Sequence, residues 1–416
     1  MAGKVSPPRE SKLVKFRQII CPPNNASCTP LLKFAIQKLD WLNAHWYNSF
    51  YEFRITTNSC LQLATWNTLR CKVFPLTAIL TALIPMLSLV LEEYVYRTGN
   101  VTLVRMACYL VGSALATALL SMFLVLFIYP EAAPAINSLY SLGVSQRTRC
   151  NENAINNPNH RFPVDWNGIL AIIFVFGLAY PLPIFCFFAC YRKMDPYFHL
   201  FKQLLPSSLL NSSGILALRV VLTFVAGFEY VRLAFVLCLL SLTIVLNAIK
   251  QLNSLKHSHM FLQNIKMYTQ IQVIFKILHC PLKADSLLAM GGSQFYVSPE
   301  AVLIIIGWDK LPIPLTVMFL MIFSLAVLVV FMYAKSAAKL GETSRELIFC
   351  SIQNLRKSPR GKEWSLKLMS KVWSGKDRIR MYYGDGRSLE FQQDSPVEYL
   401  FVLLNNITNL LMLFAV

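Results

Sequence analysis

The sequence predicts an all-α membrane protein of seven transmembrane helices, with a cytoplasmic N-terminus, an extracellular C-terminus and long cytoplasmic helical extensions. Three observations lead there. The 416 residues are 55% apolar and only 14% charged, with a mean hydropathy of +0.49, whereas soluble domains carry roughly 25% charged residues. The apolar residues gather into runs of the length, about 20 residues, that crosses a hydrocarbon core. The basic residues, 39 Lys and Arg against 21 Asp and Glu, fall between those runs on alternate sides. A net charge of +18 in a soluble chain would point to nucleic acid. Placed between apolar runs it points instead to cytoplasmic loops.

Five runs span by hydropathy alone: Val73 to Tyr94, Val104 to Tyr129, Ile169 to Tyr191, Ile215 to Ile249 and Leu311 to Ala334. A sixth, Val397 to Val416, is equally apolar apart from its asparagines. The weak candidate is Leu287 to Gly307, which holds Gly291, Gly292, Pro299 and Glu300. Charge decides in its favour. With seven spans and the amino terminus inside, the inner segments 1–72, 130–168, 250–286 and 335–396 hold 31 Lys and Arg, and the outer segments hold 5. Without the weak span, the thirteen basic residues of 335–396 would fall outside, against the positive-inside rule. No cleavable leader precedes the first run, which serves as an uncleaved insertion signal. The expected organisation is a cytoplasmic amino-terminal region over 1–72, six spans over 73–334, a cytoplasmic helical segment over 335–395 and a last span over 396–416. A plasma-membrane, multi-pass protein is expected.

Smaller features agree with this layout. Two glycosylation sequons, at Asn100 and Asn211, fall in expected outer loops. None of the eleven cysteines falls in one, so no disulfide framework is expected. The inner segments 250–279 and 335–372 repeat apolar residues on one helical face among many lysines. Such helices either lie on the inner leaflet or pack against other subunits.

The search for chemistry finds no GxSxG, HExxH or phosphate-binding loop and no Cys/His zinc spacing. No enzyme, no cofactor and no metal site is expected. Ionisable groups away from the ends of the spans are few: Arg219, Glu229 and Arg232 in the fourth run and Glu300 in the weak one. Glu229 and Arg232, at i and i+3, share a helix face. They read either as a neutralising pair or as a polar corner of a ligand pocket near Phe224, Phe228 and Tyr230.

The last span is the most informative. Val402, Asn405, Asn406 and Asn409 fall at i, i+3, i+4 and i+7, one stripe of a helix. Carboxamides facing lipid would be unsatisfied, so the stripe faces protein or water. It reads either as interhelical hydrogen bonding or as a pore wall with an apolar ring at Val402 and carboxamide rings beyond it.

At this segment the chain resembles the insect gustatory/odorant receptor superfamily. The family's last span carries a TYhhhhhQF pattern. Here Tyr399 matches the Tyr and Leu400 to Leu404 the five apolar positions, while Glu398, Asn405 and Asn406 replace the Thr, Gln and Phe. Seven spans, an inside amino terminus and long inner extensions also resemble that family. The resemblance implies a ligand-gated, non-selective cation channel, homo- or heterotetrameric, with Val402 and Asn405 facing the conduction path. It implies a small tastant or odorant as partner, bound in the outer half of the bundle. The candidates from depth and polarity are Tyr109, Phe185, Phe188, Arg219, Glu229, Tyr230 and Trp308. Two alternatives stay open. A transporter would show repeated halves, and none is visible. A G-protein-coupled receptor would reverse the charge balance by placing the amino terminus outside.

Overall fold

The computed structural model describes residues 30–44, 51–55, 61–65, 83, 132–142, 165–256, 261–287, 289–290, 293–308, 311–356, 363–381 and 390–415. The expected spans Val73 to Tyr94 (Leu83 apart) and Val104 to Tyr129, with Tyr109 and the Asn100 sequon, lie outside the described residues.

Helix α1 (Pro30–Ala44) starts on a proline, whose missing N–H costs nothing in a first turn. It buries Leu32, Ala35, Ile36 and Leu39, an i, i+3, i+4, i+7 stripe. Strands β1 (Tyr51–Ile55) and β2 (Leu61–Thr65) pair antiparallel with Phe53 opposite Leu63. This hairpin departs from the all-helical expectation. Apolar and polar residues alternate with period two along β1 but only over Leu61–Leu63 of β2, a short signal. Helix α2 (132–142) holds β2 by one carboxamide: Asn137 accepts from Leu63 N at 2.9 Å and donates to Leu63 O at 3.1 Å.

Helix α3 (Trp166–Tyr191) is the first long apolar helix among the described residues. Asp165 caps it, accepting from Gly168 N at 3.0 Å. A side chain at Gly168 would collide with Leu31 of α1, so glycine sets this close approach. Midway, Val175–Ala179 widens into a π turn just before Pro181, which cannot donate to the ladder. The helix stops at Lys193, whose φ of 58° is left-handed, with Met194 N closing on Ala189 O at 2.9 Å. The segment that follows is structured. It forms α4 (Pro196–Leu204), capped by Asp195 on Phe198 N at 3.1 Å, and a one-turn helix at Ser207–Leu210.

Helix α5 (Ser213–Lys256) has 44 residues. At 1.5 Å per residue it is about 66 Å long, roughly twice a hydrocarbon core, so it must continue well beyond a bilayer. Tyr140 of α2 bonds Thr243 at 2.9 Å, and Gln251 donates to Leu139 O at 2.6 Å, binding α2 to the distal half of α5. The expected extension of this span over 250–279 is divided between α5 and a second helix, α6 (Phe261–Ile277). Then come α7 (His279–Leu287) and α8 (Ser293–Gly307). Helix α8 is shorter than the expected 287–307 span, and its apolar part is Val297–Gly307. Helix α9 (Ile313–Arg356) again has 44 residues and carries the first part of its expected extension over 335–372; the rest of that segment belongs to a separate helix. Helix α10 (Glu363–Ser374) leads to an extended strap over 376–381, and α11 (Ser395–Ala415) ends the described chain.

The apolar interior divides in two. The larger cluster joins α1, α2, α3, α5, α6 and the distal half of α9. The smaller joins α8, the first half of α9 and α11, through Val297, Val302, Leu303, Leu315, Tyr399 and Leu403.

Candidate functional site

The candidate site is built on α11. Its first turn is set by Ser395, whose Oγ accepts from Gln392 N at 2.9 Å, and by Pro396. One face packs on α8 and α9: Tyr399 and Leu403 are buried, and Ile407, Leu410 and Leu411 line up along the same side. The opposite arc is open. Phe401 is 72% exposed, Leu404 63% and Val402 41%. Asn405 and Asn409 are exposed as well, while Asn406 is half-buried toward the packed side. Thr408 is exposed but returns its hydroxyl to Leu404 O at 2.9 Å. Thus the tyrosine of the TYhhhhh pattern packs inward, and the carboxamide six residues later points away from the subunit.

The other candidate residues are spread over three elements. Phe185 is buried on α3. Phe188, half-buried on α3, and Tyr230, half-buried on α5, pack against the smaller cluster, the one that holds Tyr399 and Leu403. Trp308 is 62% exposed at the end of α8. Glu229 accepts from Arg232 Nη1 at 3.1 Å, and the Arg232 guanidinium lies 5.7 Å from the Phe228 ring. The two charges thus pair within α5.

Arg219 has partners the sequence did not reveal. Its Nε donates to Asp195 Oδ2 at 3.0 Å, Nη2 donates to Asp195 Oδ1 and, at 2.8 Å, to Cys190 O. Its guanidinium also lies 4.9 Å from the Phe198 ring. Asp195 therefore serves two roles, cap of α4 and counter-ion of α5. Glu300, on α8, is fully buried, and neither carboxyl oxygen has a hydrogen-bond partner among the described residues. Asn211 is exposed, as a glycan acceptor must be. No group of three metal-ligating side chains occurs among the described residues.

No protein-family model and no curated protein matches the chain. A solved structure does: the insect olfactory receptor OR5 from Machilis hrabei, with a TM-score of 0.54 at 12% identity over 92% of this chain and 97% of that one. This chain has the fold of an insect olfactory receptor. A second structure of that receptor, in complex with eugenol, matches with a TM-score of 0.49 at 13% identity, over 92% of this chain and 98% of the other. The olfactory-receptor fold extends along nearly the whole chain. It agrees with the family resemblance read from the last helix, and with a helical, multi-pass membrane protein.

Proposed function

We propose that this chain is a subunit of a ligand-gated cation channel, a chemosensory receptor whose last helix lines a central pore. The observation that carries the reading is the two-sidedness of α11. One face is packed into the subunit, and the other leaves Val402, Asn405 and Asn409 exposed. In a bilayer, two carboxamides on an open face need water or protein partners. A central water path shared by several copies supplies them. Val402 then forms an apolar constriction, and Asn405 and Asn409 form hydrated rings. The olfactory-receptor fold supports the same reading. So does the loop charge of 31 against 5, which supports seven spans with the amino terminus inside.

The ligand site belongs to the outer half, around Phe188 and Tyr230, with Glu229 at its margin. These aromatics border the cluster in which Tyr399 and Leu403 are packed, so a small molecule that shifts them displaces the packed face of α11. Arg219, engaged by Asp195, supports the wall rather than contacting the ligand. Purified protein in nanodiscs should have the mass of a tetramer. Proteoliposomes should show cation current evoked by members of a tastant and odorant panel. Asn405→Ala and Val402→Ala should each change unitary conductance or gating. A monomer, or wild-type current in both variants, contradicts the assignment.

A further inference from the structure

Helix α11 is preceded, among the described residues, by two segments of irregular backbone, 376–381 and 390–394. The strap before it, 376–381, is pinned between α6 and α9 by a relay of hydrogen bonds. Tyr268 of α6 donates its hydroxyl to Asp377 O at 2.8 Å and lies 2.8 Å from Ser344 Oγ of α9. Ser344 Oγ in turn accepts from Ile379 N at 3.0 Å. Tyrosine has one hydroxyl proton, and it goes to Asp377 O. The Ser344 hydroxyl must therefore donate to Tyr268. The chain of donors runs from Ile379 through Ser344 and Tyr268 to Asp377, with each hydroxyl both giving and accepting. Tyr268 and Ser344 are both fully buried. Lys376 Nζ adds a bond to Thr269 Oγ1 at 2.9 Å, and the buried Trp373 ring lies 5.5 Å from that of Tyr268. Beyond the relay, Met381 O accepts from Phe391 N at 3.1 Å, four residues before α11 begins.

We propose that Tyr268 is a positioning residue for the last helix. The relay fixes the strap, and through it the first turn of α11, in the position described above. Displacement of α11 for conduction requires the relay to slacken. This rests on the channel reading. Its physical basis is that one backbone carbonyl and one backbone amide of the strap are held by side chains of two different helices. A shift of α6 against α9 therefore cannot leave the strap unmoved. A fully satisfied buried network also has discrete arrangements rather than a continuum of them. Helix α9 extends from this relay into the smaller cluster that Phe188 and Tyr230 border, so the relay and the ligand side meet on one rigid element.

The test uses the full chain in proteoliposomes without added ligand. Tyr268→Phe keeps the buried ring and deletes the hydroxyl. Ser344→Ala breaks the relay at its other link, and Thr269→Val loosens the strap from a half-buried position. Each variant should exchange the amides of 376–381 faster than wild type. K⁺ efflux should rise roughly fivefold in the first two, the shift that loss of one hydrogen bond produces, and less in the third. Val402→Ser, which wets the constriction, serves as the conduction control. Faster exchange with wild-type efflux, while Val402→Ser leaks, overturns the positioning role and leaves the channel reading standing. Unchanged exchange in all three variants overturns the relay itself. A Val402→Ser variant that passes no K⁺ overturns the channel reading and the proposal with it.

Discussion

Arg219 lies in the apolar stretch of α5, and its surroundings account for its place there. Asp195 neutralises it, Cys190 O takes a further N–H, and the Phe198 ring covers the guanidinium. Removing one partner of a buried pair leaves the other charge unpaired and costs about 3–5 kcal/mol. Arg219→Met should therefore lower the thermal midpoint of the purified protein sharply. Arg219→Met/Asp195→Asn should recover most of the loss, because asparagine can still cap Phe198 N. The sequence marked Arg219 as a charge within a span but could not name its partner. Asp195 lies 24 residues earlier, beyond a turn set by one left-handed lysine. By contrast, the pairing of Glu229 with Arg232 was legible, because i, i+3 spacing on a helix needs no tertiary knowledge. Tyr268 allows a pH prediction. Burial is the largest influence on its phenol and pushes it above the ordinary value of 10.0. A raised folded pKa contributes stability that is fully present below the unfolded value and is lost as pH rises through the folded one. Exchange of the 376–381 amides, corrected for intrinsic rate, should therefore be flat from about pH 6 to 9, rising only above about 10.

Among the elements, the long helices were the most legible. Continuous apolar runs located α3, α5, α9 and α11, and the absence of a proline or glycine over 250–279 foretold that α5 would continue. The hairpin was not legible, because two five-residue strands with mixed polar content barely rise above background. Much of its anchoring comes from elsewhere in the chain, since Asn137 acts as an extra edge for Leu63. Asn137→Ala should speed exchange of the Leu63 amide about tenfold, with two bonds of roughly 1 kcal/mol each removed and water replacing part of them. The α5 amides should be unaffected. The short α8 was doubtful by hydropathy and stays short in structure, with Pro299 inside it. Its Glu300 is fully buried, and a carboxyl lowers hydropathy wherever it points.

At the scale of the whole molecule, the inner arc of α11 joins the smaller cluster and the outer arc is exposed. The stripe from Val402 to Asn409 was legible as a periodicity. Its direction was not, since a polar stripe reads equally as interhelical glue or as a pore wall. The packing of Tyr399 and Leu403 against α8 and α9 leaves Asn405 and Asn409 exposed on the single subunit, so their partners are water or another copy. The central claim is that this open side faces a water-filled conduction path. Cysteine substitution along α11, which has no native cysteine, tests it most directly. A charged, membrane-impermeant methanethiosulfonate reagent should block cation current in Val402→Cys, Asn405→Cys and Asn409→Cys, and leave Leu403→Cys, on the packed face, unaffected. Block at Leu403→Cys with none at the three stripe positions would contradict the account.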